Sequence, residues 1–217
     1  MIEEKPQNKI ITLALVLIIL LAIIVIVYTN LPRVNDNSNE KNSDESNNDN
    51  VIFSLIWQQE SESGLQEKMA NFTLDELENK TVLEGYGGYR TNFPVIKGQG
   101  IYKGIPIILL VNNTIGPLSN YSIRVTSNED GLIENVTYDY QQIIGNIDIY
   151  NSTNASDETP IDKGNVTMIL CYRYQDEYLD EEKEGKLKIG FINTEKELIT
   201  KSSLWWKYVI SIEVIKE

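Results

Sequence analysis

Tyr121-Ser-Ile-Arg-Val-Thr126, Asn128-Glu-Asp-Gly131 and Leu132-Ile-Glu-Asn-Val-Thr137 stand close together in the chain. The first piece alternates apolar and polar side chains, the two-residue period of a strand with one buried face. The second is a turn, because Asp-Gly tolerates the backbone angles that tight reversals need. The third returns as the hairpin partner. Strand character extends outward from this hairpin. Val51 to Trp57, Asn165 to Tyr174, Lys186 to Asn193 and Val209 to Ile215 read as strands. Helices are short and scattered. Thr73-Leu-Asp-Glu76 is a capping box, with Phe72 and Leu77 as its staple pair. Gly104-Ile-Pro-Ile107 begins a second helix with Pro106 near its first turn. Tyr138 to Ile144 fits a third. Gly85, Gly87 and Gly88 read as a turn after Thr81 to Glu84, and Asn151 to Lys163 as a polar loop. The pattern predicts an α+β domain over residues 51–217 with a mixed sheet or barrel-like core.

Upstream, Ile10 to Tyr28 is an uninterrupted run without charge, proline or glycine. At about 1.5 Å rise per residue it covers roughly 30 Å, the thickness of a bilayer's hydrocarbon. It predicts a single transmembrane helix that is retained, since a cleaved signal has a shorter apolar region and a small-residue cleavage site. Residues 1–9 are then a cytoplasmic tail. Residues 29–50 are a linker whose Asn/Ser/Asp-rich part, 34–50, carries too little apolar surface to offset ordering entropy. As a coil, that part spans roughly 23 Å. Asn-x-Ser/Thr occurs at Asn71, Asn79, Asn112, Asn120, Asn135, Asn151, Asn154 and Asn165. Past residue 50 there are 13 asparagines and 22 Ser plus Thr. Chance pairing gives about two such motifs. The excess predicts N-glycosylation, and hence a domain outside the cell on a single-pass anchor with its N-terminus inside.

The chain has a net charge of −13, and past residue 50 it carries 15 basic against 25 acidic residues. That disfavours nucleic acid and docking to anionic lipid. One cysteine, Cys171, and no histidine exclude an intrachain disulfide, a Cys/His zinc site and histidine-dependent nucleophilic catalysis. Cys171 lies in an apolar run and reads as a buried small hydrophobe. Gly98-Gln-Gly-Ile-Tyr-Lys-Gly104 misses the dinucleotide-binding spacing and reads as turn and strand. Trp205 and Trp206, being adjacent, should point to opposite faces, one into the core. With Tyr86, Tyr89 and Tyr102, an exposed indole would make a sugar-stacking platform; packing is the competing reading. Asp176 to Glu184 lacks EF-hand spacing and reads as a solvated hairpin loop.

The order of several segments resembles the oxidoreductase molybdopterin-binding domain, the fold of sulfite oxidase and its bacterial relatives. They are Asn71-Phe-Thr-Leu-Asp-Glu-Leu77, Gly100-Ile-Tyr-Lys-Gly-Ile-Pro-Ile-Ile-Leu-Leu110, Tyr121 to Gly131, Met168 to Leu179 and Lys207-Tyr-Val-Ile-Ser-Ile-Glu-Val214. The resemblance covers about residues 51–217 and implies a sulfite-oxidase-type domain. It implies a cysteine ligand for molybdenum where this chain has Gly85-Tyr-Gly-Gly88, and a histidine that this chain lacks. It implies pocket remnants at Lys188 and Lys207. The expectation is a non-catalytic surface module, with no cofactor, no catalytic residues and no metal ligands, that binds a surface protein, cell-wall component or glycan. A molybdopterin-dependent oxidoreductase or redox accessory and a carbohydrate-binding domain stand as alternatives.

Overall fold

The computed structural model describes residues 50–93, 95–154 and 159–216. The expected tail, transmembrane segment and most of the linker lie outside these residues. Among the described residues no helix is long and apolar enough to cross a membrane. The described part is mostly β, with four short α-helices and a small closed barrel, so the α+β expectation overstated the helical share.

One sheet has five strands. β1 (Phe53–Ser61) and β2 (Gly64–Phe72) form a hairpin. Helix α1 (Leu74–Glu78) follows, opened by the capping box read from sequence: Thr73 Oγ1 accepts from Glu76 N, and Glu76 accepts from Thr73 N at 2.8 Å. β5 (Tyr121–Glu129) and β6 (Leu132–Tyr138) are the hairpin that opened the sequence reading. Its turn residues Asp130 and Gly131 both have positive φ, 51° and 89°, and Asn128 Oδ1 accepts from Gly131 N at 2.9 Å. β13 (Val209–Lys216) sits between, parallel to β1 and antiparallel to β5, giving the order β2-β1-β13-β5-β6. Leu55, Ile212 and Val125 share one cross-strand row and are fully buried, while Ser54, Ser211 and Thr126 share the next, facing the other way.

The second sheet contains a closed ring. β3 (Leu83–Arg90) pairs β4 (Ile96–Pro106), and β4 pairs β9 (Thr167–Tyr174). β9 pairs β11 (Lys188–Asn193), and β11 returns to β3 at Ile192–Gly87 and Asn193–Tyr86. Four strands close so tight a ring only where side chains give way to backbone. A Cβ on Gly104 would lie 2.3 Å from Leu170 O, and one on Gly85 2.6 Å from Asn193 O. This corrects the reading of Gly85–Gly88 as a turn. The segment is strand, and its glycines admit close neighbours rather than a reversal. Outside the ring lie β12 (Leu198–Lys201), β7 (Asp148–Asn151), β8 (Asp162–Lys163) and β10 (Glu177–Tyr178). Helices α2 (Ile107–Ile115), α3 (Tyr140–Ile143) and α4 (Glu181–Glu184) complete the described elements, with a 3-10 turn at Ser202–Leu204.

Candidate functional site

Lys188 and Lys207, 19 positions apart, meet on one carboxylate. Lys188 Nζ donates to Glu184 Oε2 at 2.7 Å, and Lys207 Nζ lies 3.5 Å from Glu184 Oε1. Local structure brings them together. Asp180 caps α4 by accepting from Glu182 N at 3.2 Å, which sets Glu184 at the last position of the helix. Gly185 ends the helix at φ 73°, where only glycine escapes Tyr208, whose Cα would stand 2.6 Å from a Cβ. The chain then enters β11, and the first side chain of that strand is Lys188.

Lys188 is enclosed. Its side chain is 2% exposed, against 22% for Glu184 and 41% for Lys207. Its ammonium lies 4.7 Å from the centre of the Tyr102 ring and 5.2 Å from that of Trp205, both within cation–π range. Trp205 is itself fixed. Its Nε1 donates to the buried Thr200 Oγ1 at 2.8 Å. Its ring lies against Gly87 and Gly190, where a Cβ would come within 2.9 Å of the indole. Tyr102 and Tyr89 pack on it at centroid distances of 5.1 and 5.4 Å. Tyr102 donates to Gly98 O at 2.7 Å, and burial pushes its phenol well above the usual range.

Cys171 is nearer to this cluster than the sequence suggested, because it faces Lys188 across the β9–β11 pair. It has no exposed surface, and its thiol donates to Arg173 O at 3.2 Å. Burial pushes the thiol up to about 12, so the neutral form persists at ordinary pH. Among the described residues no group of three or more His, Cys, Asp or Glu side chains is arranged to hold a metal ion. Beside β3 an open cleft of about 300 Å³ is lined by Glu84, Gly85, Tyr86, Ile101 and residues 193–197. Its charged side chains are Glu84, Glu195, Glu197 and Lys196, a lining that repels phosphate.

These residues do not fit a molybdopterin. The position where the resembled family has a thiolate is crowded backbone, the one thiol is sealed and neutral, and the innermost lysine is already paired. The two lysines named from sequence are brought together. Glu184 was missed, although its spacing of four residues from Lys188 was visible within a segment read only as a solvated loop. Of the two adjacent indoles, Trp205 is buried in the core and Trp206 is half-buried. Of the eight sequon asparagines, seven are exposed. Asn112 is the exception, half-buried on α2 with its amide oxygen sealed from solvent and without a hydrogen bond.

No protein-family model matches the chain, and no curated protein matches it. Among solved structures it is similar to the sulfane dehydrogenase SoxCD from Paracoccus pantotrophus, at a TM-score of 0.47 and 11% sequence identity. The similarity covers 76% of this chain and 38% of that one, so this chain spans well under half of that protein's length.

Proposed function

We propose that this chain is a membrane-anchored, N-glycosylated cell-surface domain that serves as a non-catalytic binding or interaction module, built on a scaffold of the sulfite-oxidase type. The observation that carries the non-catalytic part is the closed Lys188–Glu184 pair under Trp205 and Tyr102. A lysine that held a phosphate or pterin would have to present its ammonium to solvent or to the ligand. Here that ammonium is spent on an internal carboxylate and two aromatic faces. A scaffold commonly persists after its chemistry has gone, and the site decides. The apolar run at 10–28 supports the anchor, and the eight sequons, seven with exposed asparagines, support an outer location. Tethered to the membrane, the domain would raise the local concentration of its partner there.

The test is molybdenum and pterin analysis of the full chain purified from its own host in detergent. The expected result is neither in stoichiometric amount. One molybdenum and one pterin per chain would overturn the reading in favour of a redox enzyme.

A further inference from the structure

Among the described residues the five-stranded sheet is open at both ends, and both end strands are long. β2 has nine residues and β6 seven, whereas the second sheet ends in the two-residue strands β10 and β8. A long open edge exposes unpaired backbone N–H and C=O groups and invites pairing with another chain. The hazard is raised by exposed apolar side chains on the same strands, Leu65 and Met69 on β2, Leu132 and Ile133 on β6.

Each long edge carries one sequon asparagine, and the two are placed alike. Asn71 pairs Ser54, Ser54 pairs Ser211, Ser211 pairs Thr126, and Thr126 pairs Asn135. They therefore occupy the two ends of one cross-strand row on the outward face, roughly 19 Å apart at ~4.8 Å per strand. Both are also oriented alike. Ser54 Oγ donates to Asn71 Oδ1 at 2.8 Å, and Thr126 Oγ1 donates to Asn135 Oδ1 at 2.7 Å. The amide oxygen is turned inward to the neighbouring strand in each case. That leaves the amide nitrogen, the atom that carries an N-linked sugar, as the branch not held by that bond, on a residue that is exposed in both cases.

We propose that glycans on Asn71 and Asn135 cap the two open edges and keep the domain from adding a second copy of itself edge to edge. The inference rests on the glycosylation reading above. In the transfer, Asn Nδ2 attacks C1 of a sugar carried on a lipid phosphate. The C1–N bond forms, the C1–O bond to phosphate breaks, the amide gives up one proton, and the lipid phosphate leaves. Oδ1 takes no part, so its hydrogen bond from the neighbouring hydroxyl persists.

The experiment uses the full chain from its own host. Glycopeptide mass spectrometry of the wild type is paired with light scattering of the detergent-solubilised protein. Asn71→Gln and Asn135→Gln are combined, and Thr137→Ala removes the β6 acceptor motif while keeping Asn135 and its bond. Asn79→Gln, beyond the end of α1, is the control. The expected result is sugar on both asparagines, a monomer for wild type and control, and dimers or larger species for the double variant and for Asn71→Gln with Thr137→Ala. Double variants that stay monomeric at the same concentration overturn the capping role while glycosylation stands. Sugar on other sequons but not on these two also overturns it. Sugar on none of the eight overturns the glycosylation reading itself.

Discussion

Replacing Glu184 should cost more than replacing the lysine it holds. At 2.7 Å from a side chain that is 2% exposed, the carboxylate is the only anion hydrogen-bonded to Lys188 Nζ among the described residues. At an effective dielectric of about 20 the gross attraction is on the order of 6 kcal/mol. Most of that offsets the desolvation of the two charges, and removing one partner of a buried pair costs about 3–5 kcal/mol. Glu184→Gln keeps an oxygen that accepts from Lys188, which puts it at the low end, about 3 kcal/mol. For a domain of this size that is a fall in Tm of roughly 6–12 °C. Lys188→Met behaves differently. It removes the buried charge, keeps a side chain that packs on Tyr102 and Trp205, and leaves Glu184 with Lys207, so its cost should stay within about 1.5 kcal/mol. In the double variant the two changes should couple by about 2 kcal/mol in the direction of rescue. The assay is thermal and denaturant unfolding of the four proteins, followed by near-ultraviolet circular dichroism of the buried aromatics. A Glu184→Gln protein within 1 kcal/mol of wild type, or a Lys188→Met protein less stable than it, would refute the reasoning.

Three other outcomes are expected. Burial raises the Cys171 thiol from an ordinary value of 9.0 to about 12. The folded state then binds one more proton than the unfolded state between those values. Stability from this group is full below pH 9 and is lost as pH rises toward 12, at about 1.4 kcal/mol per pH unit. Cys171→Ala should make the decline between pH 9 and 10 less steep, the buried tyrosines, raised from 10.0, supplying the rest; an unchanged slope would contradict the burial argument. Gly104→Ala puts a methyl against backbone of β9 at a position with no positive φ, so its cost is steric, about 3 kcal/mol by chemical denaturation. Wild-type stability there would mean that the ring is looser than described. Glycopeptide mapping should find Asn112 unmodified, because it is half-buried on α2 while the other seven sequon asparagines are exposed; full occupancy at Asn112 would show that modification precedes folding there.

Much of the fold was legible where local chemistry alone decides it. Tyr121 to Thr137 announces a hairpin because the alternation and the Asp-Gly turn agree, and Thr73-Leu-Asp-Glu76 announces a helix start because both capping bonds are local. β2 was not legible. Gly64–Phe72 carries Lys68 and Glu67 on an edge strand with almost no buried side chain, so it lacks the alternation that marks a strand. Gly85–Gly88 was misread because glycine in a turn and glycine under an indole look the same in one dimension. What distinguishes them is tertiary: Trp205 over Gly87 and the Asn193 backbone against Gly85, each more than a hundred residues away. The same holds for the site. Lys188 and Lys207 entered through family resemblance, but their shared carboxylate belongs to a tertiary contact that spacing hints at without fixing. The acidic run from Asp176 conceals the difference between Glu184, turned inward, and Glu181 and Glu182, which are exposed.

Amine acylation of the folded chain, read out by peptide mass spectrometry, tests the enclosure of Lys188 most directly. Lys186 sits two residues earlier with a side chain 52% exposed and serves as the internal reference. Lys186 should be modified rapidly and Lys188 should stay unmodified until the domain unfolds. Equal modification of the two in the folded protein would mean that the ammonium is open to ligands, and the case for a closed, non-catalytic site would fail.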